Sequence, residues 1–196
     1  MFQFQQSSFS NQFTLFQKIK NLDYILLTCI LLLGIISSFS MYSTDGGEIL
    51  YHTQSHIFKF IIFFPMMILL SFFSIKFWHS VGYLFYIIIF IFLVWASLYG
   101  VKSSGSQRWI NLYFINLQPS ELMKIAIILC LAKFYHRIQL DKVNSFKSIL
   151  VALVILVLPI MLVISQPDLG TSILIALSGL AVLWLAGFNI KYFLYS

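Results

Sequence analysis

The sequence predicts an all-α, polytopic membrane protein with about six transmembrane helices and a cytoplasmic N-terminus. Of its 196 residues, 60% are hydrophobic and only 9% are charged, whereas soluble domains are about 25% charged. Apolar runs long enough to cross a hydrocarbon layer recur along the chain. Basic residues concentrate on alternate connections between these runs. Together the three observations do not fit a water-soluble domain.

Six apolar windows account for the predicted helices. A bilayer core of about 30 Å is crossed by about 20 helical residues, and the windows cover residues 24–42, 57–75, 81–99, 120–135, 148–166 and 169–188. The fourth is the shortest and most polar. We expect residues 1–21 to form a flexible cytoplasmic tail without a removable signal peptide. Residues 22–196 are expected to form the transmembrane helical bundle.

The distribution of Lys and Arg predicts the orientation. With the N-terminus in the cytoplasm, eight of these residues fall on the inner side and four on the outer side. This bias follows the positive-inside rule, so the net charge of +6 does not indicate a nucleic-acid partner. The four outer residues are Lys59, Lys102, Arg108 and Lys124.

Polar residues concentrate between residues 105 and 124, next to an apolar segment. One interpretation is an interfacial loop anchored by aromatic rings such as Trp109. A second is a site for an anion, because Arg108 offers a planar fork for oxyanions and Lys124 a point charge. Glu121 and Lys124 are three residues apart and would face each other on a helix. The loop interpretation explains that last pair less well.

Two similar segments open the fourth and sixth windows: "LQPSEL" at 117–122 and "SQPDLG" at 165–170. Proline suits the first position of a helix, and an acidic residue suits the first turn. Both helices would begin on the outer face and present similar polar openings there. Asp168 has two open interpretations. In the first it stabilises a helix start. In the second it has a functional role, either pairing with Arg108 or Lys124 or contacting substrate or a cation.

Other chemistry finds little support in the sequence. Glu48, His52 and His56 are four residues apart and would share a face of a continuous helix, but Gly46 and Gly47 precede them and the spacing lacks a zinc pattern. Nucleotide-binding, hydrolase-elbow and redox motifs are absent from the sequence. We therefore predict no resident metal or cofactor, while a divalent cation could accompany an anionic substrate.

Longer motifs resemble one known family. The segments "GSQRWINLYFINLQPSELMKIAIILCLAKFY" and "SQPDLGTSILIALSGLAVLWLAG" look like the third-to-fourth and fifth-to-sixth helix regions of the SEDS family, the RodA/FtsW proteins. "LGIISSFSMYSTDGGE" is similar to the first helix and following loop. The resemblance covers residues 22–190, and the QPDLGTS form looks more like the RodA branch.

The resemblance implies a function in cell-wall elongation and control of rod shape. Family members are multi-pass proteins of the bacterial cytoplasmic (inner) membrane that polymerise lipid II, working with a class B penicillin-binding protein and other elongation-complex membrane proteins. By this resemblance, Arg108 and Lys124 would stabilise the diphosphate leaving group. Gln118, Glu121 and Asp168 would complete the substrate-binding set. Lipid II transport is an older interpretation of the family.

The resemblance also sets a limit. The family's proposed catalytic aspartate lies between its seventh and eighth helices, and this chain has no matching position, so none of its residues is predicted to be catalytic. We expect the chain alone to be incompetent for glycosyl transfer. A truncated product, a separate C-terminal half in another chain, or a non-catalytic membrane interaction subunit would each explain the half-match.

Overall fold

The computed structural model describes residues 15–103, 106–112 and 116–188. It confirms the all-α membrane class, since six long helices overlap the six predicted windows, although the helix at window 57–75 covers Tyr51–Ser71. The chain divides into two compact units, Met1–Ser74 and Ile75–Ser196. The helices are α1 (Leu15–Lys20), α2 (Tyr24–Thr44), α3 (Tyr51–Ser71), α4 (Ile75–Tyr99), α5 (Pro119–His136), α6 (Phe146–Ser165) and α7 (Leu169–Leu185), with a short 3-10 turn at Leu140–Lys142.

The first unit is a helical hairpin. Asp23 caps α2 by accepting a hydrogen bond from the Leu26 N–H at 3.0 Å, as acidic residues commonly do at helix starts. In the first turn of α3, the N–H and the hydroxyl of Thr53 both donate to the Asp45 carboxylate, at 2.8 and 2.6 Å. Gly34 lies directly against the Phe60 ring, where a larger residue would collide. The two helices can therefore approach closely.

The stretch predicted to be a flexible tail contains a short helix. Residues 1–14 lie outside the described residues, but α1 covers the last part of the stretch that the sequence predicts to be flexible. Within the first unit, the Lys18 ammonium donates a 2.7 Å hydrogen bond to the carbonyl of Phe72. Residues 189–196 also lie outside the described residues, and they include Lys191, one of the eight basic residues predicted to lie on the inner side.

The fourth predicted helix, α5, is central to the second unit. It packs against α4, α6 and α7, and Met123, Ile127 and Leu131 are completely buried. Leu93 of α4 and Ile175 of α7 belong to the same core. Charged residues inside a membrane are costly unless they face protein or water. Burial among other helices therefore explains how the most polar window can lie inside the bundle.

The number of spans remains a prediction. Within the described ranges, α2, α3, α4 and α6 are long and apolar enough to cross a membrane. α7 has 17 residues and is a shorter apolar helix. α5 has 18 residues but carries Glu121, Lys124 and Lys133, so its charge sets it apart from the other long helices.

A small sheet replaces the loop predicted between α4 and α5. Strands β1 (Val101–Ser103), β2 (Ser106–Asn111) and β3 (Asn116–Leu117) are antiparallel, in the order β1–β2–β3. Ile110 pairs with Leu117. Non-helical backbone must find hydrogen-bond partners near a membrane, and strand pairing supplies them. The sheet contacts α4 and α5 and so fixes the position of β2 at one end of the second unit.

Candidate functional site

The two similar motif segments meet at Asp168. Its carboxylate accepts a hydrogen bond from Gln118 Nε2 at 3.0 Å and forms an ion pair with Arg108 Nη1 at 3.1 Å. The other carboxylate oxygen accepts from the Thr171 N–H at 3.2 Å. Asp168 is 8% exposed. One buried carboxylate thus joins β2, the start of α5 and the start of α7, and we call this arrangement the Asp168 junction.

Local structure explains why these side chains converge. Pro119 occupies the first position of α5, and Gln118 precedes it in extended conformation without capping the helix, so the Gln118 amide is free to reach Asp168. Asp168 is the N-cap of α7. The preceding turn is held by Gln166, which is buried and whose Nε2 donates to the Leu93 carbonyl at 3.3 Å. Both interpretations of Asp168, helix start and partner of Arg108, describe its contacts.

The environment keeps Asp168 ionised. Burial raises the pKa of its carboxyl, but hydrogen bonds from Thr171 and the neighbouring Arg108 guanidinium lower it, and the net result is a pKa below the ordinary value. A carboxylate with a lowered pKa is a weak general base. The junction therefore suits positioning better than proton transfer.

Glu121 and Lys124 form a second ion pair in the first two turns of α5. The Lys124 ammonium lies 2.8 Å from the Glu121 carboxylate, as their three-residue spacing predicts. The Glu121 side chain is 53% exposed and that of Lys124 is 23% exposed. Such an exposed pair contributes about 0–1 kcal/mol. An incoming anion could replace Glu121 as the partner of Lys124 at little cost.

The structure changes the charge balance expected from sequence. Arg108 and Lys124 were expected to offer positive charge to an anion, but each is paired with a carboxylate. The four side chains together have a formal charge of zero. The predicted diphosphate site therefore depends on displacing a partner. Lys124 can exchange its exposed partner, whereas Arg108 is held by a buried one.

Two unused hydrogen-bond donors at this end of the unit were not predicted from the sequence. Among the described residues, neither the buried Ser120 hydroxyl in the first turn of α5 nor the buried Arg108 Nε–H has a hydrogen-bond partner. Buried polar groups are nearly always satisfied, so each is a donor that a ligand oxygen could use. Ser120 lies within the quoted "LQPSEL" segment. A serine at a helix start usually indicates capping, so the sequence did not indicate an unsatisfied hydroxyl.

The possible metal set is not assembled. α3 begins at Tyr51, so Glu48 lies before the helix and does not share a face with the histidines. His56 makes a hydrogen bond with Ser37 of α2. Among residues 15–103, 106–112 and 116–188, no three His, Cys, Asp or Glu side chains come together as a metal site. A divalent cation accompanying an anionic substrate stays a prediction.

We expect the Asp168 junction to make stability sensitive to acid. Because folding lowers the pKa of Asp168 below its ordinary 3.8, its contribution is complete above that value and is lost as the pH falls through the folded-state pKa. The midpoint temperature of thermal unfolding of the detergent-solubilised protein should therefore decrease when the pH is lowered below about 4. Asp168→Asn should show a shallower fall, and the exposed control Asp141→Asn should match wild type. An unchanged slope in Asp168→Asn would contradict this assignment.

These features define a polytopic helical membrane protein with a polar junction at one end of its second unit. The family model for FtsW/RodA/SpoVE, described as cell cycle protein, matches residues 19–196. The chain belongs to this family. It is 36% identical over 179 residues to the peptidoglycan glycosyltransferase MrdB of Escherichia coli K12, covering 91% of this chain and 47% of the relative.

Further relatives agree on the family. A probable peptidoglycan glycosyltransferase FtsW of Buchnera aphidicola subsp. Schizaphis graminum is 33% identical over 152 residues, covering 75% of this chain and 43% of the relative. The chain thus spans less than half the length of these two curated relatives. The confirmed membership extends the resemblance seen in the quoted motifs to nearly the whole sequence.

Solved structures share the fold. A chain of a peptidoglycan synthase complex superposes with a TM-score of 0.74 at 20% identity, covering 88% of this chain and 49% of that chain. The D255A mutant of the rod shape determining protein RodA from Thermus thermophilus gives a TM-score of 0.71 at 22% identity, covering 88% and 55%. At these identities the likeness concerns the fold.

Proposed function

We propose that this chain contributes its transmembrane helices and a substrate-binding site to a peptidoglycan glycosyltransferase that polymerises lipid II during cell-wall elongation. The curated relatives bearing that activity in their names support the proposal. The single observation that carries it is the Asp168 junction, because Gln118 and Asp168 come from separate family motifs and bond directly. Such a junction would hold the start of α5 in place for substrate.

In this proposal, Lys124 binds the diphosphate of lipid II. Its partner Glu121 is mostly exposed, so its carboxylate can return to water when a more highly charged group arrives. Arg108 stays fixed by Asp168 and offers its unused Nε–H. Fixed positive charge next to a leaving diphosphate stabilises the negative charge that develops on bond breaking. The proton-accepting base is not among the residues assigned here.

The proposal includes location and partner. The chain would cross the bacterial cytoplasmic membrane several times, with the Asp168 junction at the outer face as the distribution of Lys and Arg predicts. A class B penicillin-binding protein would cross-link the product. This partner is supported by the fold shared with a chain of a peptidoglycan synthase complex described as coordinating polymerization and crosslinking.

Binding of fluorescent lipid II to the purified chain tests the proposed site. We expect Lys124→Gln to weaken binding about tenfold, because charged contacts to phosphate contribute about 1.5–3 kcal/mol. Lys59→Gln is the matched control. Lys59 is exposed on α3, and its substitution removes the same charge from the four basic residues predicted on the outer side. Equal binding by wild type and Lys124→Gln, or no binding by wild type, would contradict the proposed site.

The same preparation separates the alternative functions. Polymer formed from lipid II would identify an enzyme that is active by itself, contrary to our expectation. Movement of lipid II across liposomes would identify a transporter. Binding without either reaction is the result that we expect for this chain, and addition of a partner chain that restores polymerisation would support the proposed role directly.

A further inference from the structure

The end of the second unit opposite the Asp168 junction carries a group of basic side chains. α5 has 18 residues and is therefore about 27 Å long, with the junction beside Pro119 and the basic group around His136. The group, which we call the basic cluster, consists of His79 of α4, Lys133 and His136 of α5, and Arg137 directly after α5.

Lys133 is the buried member of the basic cluster. It is only 7% exposed. Its ammonium donates a 2.6 Å hydrogen bond to the Ser80 carbonyl and lies 4.7 Å from the centre of the Tyr83 ring. A carbonyl and an aromatic face orient a cation but leave its full charge in place. Lysine is almost never buried unless it is paired with an opposite charge.

The remaining members surround the same two turns of α4. The Arg137 guanidinium lies 5.9 Å from the centre of the Tyr83 ring, so this ring faces two cations. The His79 and His136 rings meet edge to face, with centres 5.0 Å apart. His79 Nε2 is buried and has no hydrogen-bond partner within residues 15–103, 106–112 and 116–188. Unused capacity for hydrogen bonding thus accompanies the unneutralised charge.

No carboxylate neutralises the basic cluster in the part of the chain that the structure describes. The two ion pairs found there both lie at the other end of α5. Asp141, on the 3-10 turn that follows, is exposed and pairs with neither Lys133 nor Arg137. Attraction to the C-terminal helix dipole explains basic residues in the last turn of α5. It does not explain a histidine supplied by α4 or the deep burial of Lys133.

We propose that the basic cluster binds a phosphate group, either on a phospholipid headgroup or as free phosphate. Lys133 would supply a fixed point charge and Arg137 a planar fork suited to phosphate oxygens. His79 would donate a hydrogen bond from its otherwise unused nitrogen. Ile75 and Phe77, at the exposed start of α4, offer apolar surface next to the cluster, which suits the acyl chains of a lipid. This site lies away from the proposed lipid II site.

Two titrations of the purified full chain in detergent test the proposal. Native mass spectrometry would measure binding of phosphatidylglycerol, with phosphatidylcholine as the neutral comparison, and inorganic phosphate would be added in a separate competition series. Arg137→Gln changes an exposed residue, so its fold should be retained. We expect it to bind about fivefold more weakly, since a basic residue near an anionic headgroup contributes about 1 kcal/mol.

Lys142→Gln is the matched control, because Lys142 is exposed on the nearby 3-10 turn and outside the basic cluster. Weaker binding in Arg137→Gln with unchanged binding in the control supports the site. Competition by phosphate would identify the phosphate group itself as sufficient, and phosphatidylglycerol binding without competition would identify a lipid. Absence of both ligands from wild type, or equal effects of the two substitutions, would overturn the proposal.

Discussion

Replacing Asp168 by alanine is expected to lower the free energy of unfolding by about 3 kcal/mol, because removing one partner of a largely buried ion pair leaves the other charge uncompensated. The change also removes the N-cap of α7 and the acceptor for Gln118. Three elements lose their common contact at once. Equilibrium unfolding in mixed detergent micelles, followed by tryptophan fluorescence, measures the effect.

A control and a second substitution separate the junction from a general loss of charge. Asp141→Ala removes an exposed carboxylate of the same unit and should change stability by less than about 0.5 kcal/mol. The double mutant of Asp168→Ala with Arg108→Gln should be less destabilised than the sum of the single mutants by at least about 1 kcal/mol. Additive effects would show that Arg108 and Asp168 do not stabilise the fold together.

Replacing Gly100 by alanine is expected to cost about 2 kcal/mol through steric strain and to displace the sheet. Gly100 joins α4 to β1. A side-chain carbon there would lie 2.3 Å from the Ala96 carbonyl oxygen and 3.1 Å from that of Trp109. Both obstacles are backbone atoms, so rotation of a side chain cannot relieve the overlap. Since Trp109 adjoins Arg108 on β2, the shift would draw Arg108 away from Asp168.

Gly170→Ala is the matched control, because no described atom beyond the local helix backbone lies within 4 Å of the added carbon and alanine is the better helix former. Its stability should equal or slightly exceed that of wild type. If Gly100→Ala acts through the Asp168 junction, its cost should shrink in an Asp168→Asn background. Equal stability of the Gly100→Ala and Gly170→Ala proteins would contradict the close approach of α4 and the sheet.

The helices were predictable because their signal is local. A run of about 20 apolar residues must satisfy its own backbone in a membrane, and only a helix does this within one segment. The i,i+3 pairing of Glu121 with Lys124 was equally predictable from helical geometry. The strands between α4 and α5 were missed, because their pairing joins residues that carry no strong alternating pattern. Residues that favour strands, such as Trp109 and Ile110, were a weak indication of a sheet. They were equally well explained by an interfacial loop.

The Asp168 junction shows which contacts the sequence could predict and which only the tertiary structure could reveal. The sequence named Arg108, Gln118 and Asp168 as candidates and left the partner of Asp168 open. Only the tertiary structure selected Arg108 over Lys124, because the choice depends on where the sheet lies relative to the start of α7. It likewise paired both cations with carboxylates, which turns an expected positive site into a neutral one.

The sequence by itself determined the membrane class, the positions of the six long helices and membership of the FtsW/RodA/SpoVE family, since composition, apolar length and motif order are properties of the chain alone. The tertiary structure decided which charges are neutralised and which remain. Asp168 is satisfied by three donors from three elements, whereas Lys133 is buried against a carbonyl and a ring and pairs with no carboxylate among the described residues. The physical reason is that charge compensation acts over a few ångströms in space, between residues that can be 60 positions apart in sequence, as Arg108 and Asp168 are.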